Sequence, residues 1–257
     1  MPILPGAPST DADAAPPGAA RRLLAWGVHL YTALGLVLAA AAAVLVVRGD
    51  DAALRSAFLL LLAATVIDGT DGWLARAVQV KRVLPGFDGR RLDDITDFHT
   101  YTSLPLLLVW RSGVLPAAQA PWLLVPLLAS AYGFAQADVK TADGYFRGFP
   151  SYWNVVALYL HLLRPAPGVA LAVLLGLAVL TFVPSLYLYP SQPGALNRWT
   201  AALAAVWGAV LAGVLLGWLE PTRPWLLASL LFPAWYMLAS WAVTVRRWRR
   251  SEASGRL

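Results

Sequence analysis

Six of the 14 acidic side chains crowd between positions 68 and 97, in the segment IDGTDGWLARAVQVKRVLPGFDGRRLDDITDF. Acids set among apolar runs are costly and are kept where chemistry needs them. At about 100° per residue, Asp68, Asp71, Gly72, Ala75 and Arg76 share one face of a helix. Beyond a turn carrying Pro85 and Gly86, Gly89, Asp93 and Asp97 recur at i, i+4 and i+8 and make a second stripe. A short connection makes consecutive helices antiparallel, so the spacing predicts that the stripes face each other and that four carboxylates converge. Four like charges in a partly dry site stay ionised only with cations between them. Oxygen-only ligation, in a chain without Cys, favours Mg²⁺ or Mn²⁺ over Zn²⁺. Two such ions about 4 Å apart would clamp an in-line phosphoryl displacement. Gly72 and Ala75 let a flat or bulky ligand approach the helix, and Arg76 suits a phosphate. Asp94 lies off the stripe and is expected to be solvated or bridged to Arg90 or Arg91; Asp88 reads as a loop residue. The competing reading makes all these acids interfacial ion pairs with Arg76, Arg82, Arg90 and Arg91, which leaves their ordered spacing unexplained.

The elements that must carry these stripes are apolar. Of 257 residues, 59% are hydrophobic and only 13% charged, against about 25% charged in a soluble domain. The apolar residues come in runs near twenty long, which suits membrane helices rather than barrel strands. The expected architecture is all-α, a polytopic bundle of about eight spans at 23–47, 53–76, 90–110, 117–137, 150–163, 167–188, 198–219 and 223–245. Residues 1–20, rich in Pro, Ala and Gly, read as a disordered cytoplasmic tail, and 21–257 as the transmembrane catalytic domain. Asp11 and Asp13 exclude a signal-peptide core there. The net charge of +6 points to membrane orientation rather than nucleic acid. With a cytoplasmic N-terminus and eight spans, fourteen of the 20 Lys and Arg fall on the inner side, so both termini and the acids are expected to face the cytoplasm. The basic end VRRWRR suits a stop-transfer anchor or contact with anionic lipid.

Outside the acidic segment, His29 and Thr32 share a helix face near the start of the first span and could hydrogen-bond a nucleotide or phosphate. A lone His there is as readily a satisfied structural donor. Lys140 and Arg147 flank Asp143 in a loop and could hold a phosphate or simply anchor the positive-inside side. Asn154, one turn into a span, reads as a substrate contact or a helix tether.

The ordered set Asp68, Asp71, Gly72, Ala75, Arg76, Gly89, Asp93, Asp97 resembles the signature of the CDP-alcohol phosphotransferase family, D-x-x-D-G-x-x-A-R, a spacer, then G-x-x-x-D-x-x-x-D. The spacer, Ala77 to Asp88, is longer than in most of that family and looks like that of its bacterial phosphatidylcholine synthase branch. Similar too are VHLYTA in the first span, KTADGYFRGFPSYWNVVALYL (140–160) and LTFVP (180–184), so the likeness runs from about 25 to 190. It implies a six-helix core, here extended to eight spans, in a bacterial inner membrane. It also implies two divalent ions on Asp68, Asp71, Asp93 and Asp97, a cytidine nucleotide against Gly72 and Ala75, and Asp97 as the base for the acceptor hydroxyl. The substrates it implies are CDP-diacylglycerol, held also by Arg76, Gly89, His29, Thr32, Lys140 and Arg147, and choline. A homodimer is implied as well. Choline's quaternary ammonium has no donor and is met by aromatic faces; Tyr101, which continues the Asp93 and Asp97 stripe, and Tyr145, Trp153 and Asn154 are the candidates, beside Phe146 and Tyr152.

Three rivals remain. Phosphatidylserine synthase would differ only in its acceptor. An intramembrane prenyltransferase would read DDITD (93–97) as a diphosphate motif but lacks a distant second one. A transporter would use the acids for a coupling ion, but no internal repeat supports it.

Overall fold

The computed structural model describes residues 17–253 apart from 142 and 193. Most of the expected tail, 1–16, therefore lies outside the described residues, and its last two positions already belong to the first helix, α1 (Ala19–Arg48). Gly49, at φ 72, lets its N–H turn back to the Leu45 carbonyl and end α1. Asp50 then caps α2 (Asp51–Val78), its carboxylate accepting from the Ala53 N–H at 2.9 Å. So tight a turn leaves α1 and α2 antiparallel and packed along their length. The one-turn α3 (Val80–Val83) leads to α4 (Gly89–Asp97), whose start is capped by Asp88 accepting from the Arg91 N–H at 3.1 Å. The loop residue of the sequence reading is thus a helix cap.

From α4 the chain runs on through a π-helical segment, Phe98–Ser103, into α5 (Leu104–Arg111). Arg111 reaches back to α1, Nε donating to Val46 O at 3.1 Å and Nη2 to Val47 O at 3.3 Å. Carbonyls left over at that helix end gain a cationic donor. The remaining elements are a 3-10 stretch (Ala117–Leu123), α6 (Leu124–Ala135), β1 (Tyr145–Arg147), α7 (Trp153–Leu163), α8 (Pro167–Leu180), β2 (Leu186–Leu188), α9 (Ala195–Leu215), α10 (Arg223–Ser229) and α11 (Leu231–Ala253).

The molecule is a helical membrane protein. Among the described residues, four segments are long and apolar enough to cross a bilayer: α1, α2, α9 and the combined stretch Arg223–Arg250. Large apolar side chains point outward from them, Leu30 and Val44 on α1, Trp199 and Val206 on α9, Trp225 and Leu238 on the last, as a hydrocarbon surrounding permits. Inside, Val46, Leu54, Leu61, Leu108, Trp153, Leu174 and Leu211 belong to one continuous core.

Three expected boundaries move. The segment expected as a span over 117–137 is helical in α form only from Leu124, because Pro121 sits in a 3-10 stretch. The one expected over 150–163 starts at Trp153. The one expected over 167–188 ends at Leu180. Pro184 has no N–H and biases Val183 away from helix, and 186–188 instead pair antiparallel with 145–147, Tyr145 opposite Leu188 and Arg147 opposite Leu186. That two-stranded ribbon is the sole sheet among the described residues.

Candidate metal and phosphate site

Helices α2 and α4 bring the acidic stripes together. Asp68, Asp71 and Asp93 each offer a carboxylate oxygen within 4.8 Å of the others. Asp97 lines the same recess, together with Thr32, Thr96 and Thr100. Three of the four carboxylates have partners that fix their orientation. Thr32 Oγ1 donates to Asp71 Oδ2 at 2.7 Å, Tyr101 OH donates to Asp68 Oδ2 at 2.6 Å, and Lys140 Nζ stands 3.4 Å from Asp93 Oδ2. Asp97 is buried, and its Oδ1 has no hydrogen-bond partner among the described residues. A buried carboxylate oxygen without a donor, beside three converging acids, is what a divalent cation would satisfy. The donor set, all hard oxygen, therefore fits such an ion.

Lys140 arrives from the loop between α6 and β1, far from these helices in sequence. Its ammonium bridges Asp93 and Asp94, 3.4 Å from each. Burial alone would lower its pKa, but Tyr189 and the carboxylates of Asp93, Asp97 and Asp94 hold it above the ordinary lysine value. It is a fixed positive charge at this site. The expected partners of Asp94, Arg90 and Arg91, are thereby corrected: spacing along one helix cannot reveal a lysine folded over from another segment. Arg91 pairs instead with Asp88, at 3.9 Å.

The residues expected to meet the nucleotide lie around the recess in two groups. Thr32, on α1, belongs to the carboxylate network. Gly72 and Ala75 are half-buried on α2, and Arg76 is exposed one turn beyond Gly72. His29 is buried against Phe87, ring centroids 4.4 Å apart, and its Nε2 has no partner among the described residues. Gly89 has a packing reason: a Cβ there would lie 2.5 Å from His29 Cε1, so any larger residue would push the imidazole aside. The Arg147 side chain turns to another partner among the described residues, donating to Asp138 Oδ2 at 2.5 Å.

Of the aromatic candidates, only Tyr101 touches the acids. Tyr145 is half-buried on β1, with the Arg247 guanidinium 5.1 Å from its ring centre. Trp153 is wholly buried, its indole N–H donating to Ser130 Oγ at 2.7 Å and its ring against Phe149. Asn154 donates to Thr65 Oγ1 at 3.0 Å and ties α7 to α2. Both are committed to packing. Tyr152, one of the aromatic candidates, lies 6.0 Å from Tyr101 between centroids, whereas reading by sequence passed over Tyr236, 5.8 Å beyond Tyr152. Tyr152 stood in the matched segment 140–160, but no spacing pattern marks Tyr189 or Tyr236.

The chain is similar to proteins named phosphatidylcholine synthase. One from Pseudomonas aeruginosa is 36% identical over 231 residues, 89% of this chain and 92% of that one. One from Bradyrhizobium diazoefficiens is 37% identical over 81% of this chain and 77% of its own, and one from Legionella pneumophila 34% over 84% and 87%. No protein-family model matches the chain.

Proposed function

The chain belongs to the phosphatidylcholine synthase family, and from that premise we propose that it transfers the phosphatidyl group of CDP-diacylglycerol to choline, releasing CMP. The observation that supports this most is the convergence of Asp68, Asp71 and Asp93 beside an oxygen of Asp97 that has no partner among the described residues. In this reading the choline hydroxyl oxygen attacks the phosphorus that bears the diacylglycerol. A new P–O bond to choline forms as the P–O bond to CMP breaks, and Asp97 takes the hydroxyl proton. One or two divalent ions, Mn²⁺ or Mg²⁺, held by Asp68, Asp71, Asp93 and Asp97 would supply charge neutralisation at the pyrophosphate. Thr32 and Tyr101 hold the carboxylates of Asp71 and Asp68 in orientation. Lys140 limits the repulsion between Asp93 and Asp94 and offers an ammonium to an incoming phosphate; Arg76, exposed at the end of α2, offers a bidentate contact. Gly72 and Ala75 leave α2 low enough for the cytidine, with His29 and Gly89 at its edge and Arg147 an outer basic residue. Choline's ammonium would meet Tyr101 first, with Tyr152 beside it, Tyr145 as a further candidate and Trp153 and Asn154 as packed support.

In the same reading the chain has a six-helix core extended to eight spans in the bacterial inner membrane, with both termini and the acids at the cytoplasmic face, and assembles as a homodimer. Purified protein given labelled choline, CDP-diacylglycerol and Mn²⁺ should form phosphatidylcholine and CMP. CMP release with serine but not choline would transfer the assignment to a phosphatidylserine synthase.

A further inference from the structure

The helix α11 lies beyond the stretch whose motifs matched, yet it completes the ribbon that carries Lys140. Strand β2 is wholly buried, with β1 along one edge. On its other edge the polar groups of Leu186 and Leu188 meet side chains rather than another strand. The Leu188 N–H donates to Ser240 Oγ at 3.1 Å, and the Leu186 N–H donates to Thr244 Oγ1 at 2.8 Å. Tyr236 OH donates to Leu188 O at 2.8 Å, and Thr244 Oγ1 lies 3.1 Å from Leu186 O. Tyr236, Ser240 and Thr244 are spaced i, i+4, i+8, one stripe of α11, and Ser240 and Thr244 are wholly buried. With no water at hand, backbone groups of a buried strand edge must find such partners.

The same hydrogen-bonded sheet continues on the far side of β1. The Arg147 N–H donates to Val139 O at 2.9 Å, and the Thr141 N–H donates to Tyr145 O at 2.8 Å. Residues 139–141 thus run along β1, with Lys140 paired opposite Phe146, and Lys140 Nζ meets Asp93 and Asp94. One unbroken series of contacts joins the last helix to the acids of α4. At the loop's outer end, Arg247 of the same helix holds Asp143.

We propose that Ser240 and Thr244 are positioning residues of the transferase: by taking the place of a neighbouring strand on the outer edge of β2, they set where the ribbon presents Lys140 to Asp93 and Asp94. This rests on the phosphatidyltransferase reading above. The test is a double-substitution cycle on the full-length protein in detergent, scoring kcat and KM for choline-dependent CMP release. Thr244→Val should lower kcat/KM about tenfold, the low end for groups that orient catalytic ones, while Thr244→Ser retains near-full activity. In a Lys140→Met background, Thr244→Val should change kcat/KM by less than about twofold, because its effect acts through Lys140. Losses that multiply in that background, or an unaffected Thr244→Val protein, would overturn the proposal and leave the transferase reading standing. Should Thr244→Val fail to fold, Ser240→Ala takes its place in the cycle; failure of both would assign the hydroxyls to stability alone. An unaltered protein that releases no CMP from CDP-diacylglycerol with choline would sink the transferase reading first.

Discussion

Asp97 and Thr32 illustrate how unequally four similar acids are treated. Asp97 has an oxygen without a donor among the described residues, while Asp71 is oriented by a hydroxyl from another helix. Replacing Asp97 by Asn should lower kcat by about 10²- to 10⁴-fold, the usual worth of a general base, with the KM for choline changed far less. A rise in KM at unchanged kcat would remove Asp97 from proton transfer. Thr32→Val should weaken Mn²⁺ binding by about 10- to 100-fold, as losing an orienting hydrogen bond to a ligand does, read by Mn²⁺ electron resonance without any substrate. Asp93→Asn should abolish turnover and weaken Mn²⁺ binding. The Asp93 stripe was legible from the i, i+4 spacing of its acids. Thr32 was legible only as a face-sharing neighbour of His29, because hydrogen bonds between helices leave no trace in local periodicity.

Elements decide which candidates reach the recess. Tyr101 does so across the π-helical segment, whose wider turn follows directly on Asp97. Trp153 and Asn154 point into the seams of α7, so the aromatic richness of the segment 140–160 reflects packing as much as recognition. Trp153→Ala should destabilise by about 3 to 5 kcal/mol, seen as a lower midpoint in detergent unfolding. The fraction that remains folded should keep its KM for choline; a raised KM without lost stability would restore Trp153 to the ammonium site. Gly89→Ala should cost about 1 to 3 kcal/mol by overpacking, with His29→Ala in the same chain recovering most of it. No recovery would mean that the Cβ meets something other than the imidazole. Both outcomes depend on how closely α4 approaches α1, a distance that neither helix announces in its own residues.

At the scale of the whole molecule, the acids gather where α1, α2, α4 and the Lys140 loop meet, while the outward faces of the long helices stay apolar. Removing divalent ions with a chelator should abolish CMP release, and Mn²⁺ or Mg²⁺ should restore it; activity that survives chelation would refute the metal reading. Hydropathy was enough to place the chain in a membrane as a helical bundle, because runs of about twenty apolar residues have no other stable home. It overextended α8 into β2, since Leu186, Tyr187 and Leu188 are as apolar as the helix before them. The two acidic stripes were also readable in advance, because helical spacing is a local property, and their carboxylates do meet in one recess. Contacts between segments distant along the chain were not: Lys140 on Asp94, Tyr101 on Asp68, and Ser240 and Thr244 on the edge of β2. Those pairings arise only when buried polar groups, cut off from water, take whichever partner the folded bundle brings within reach.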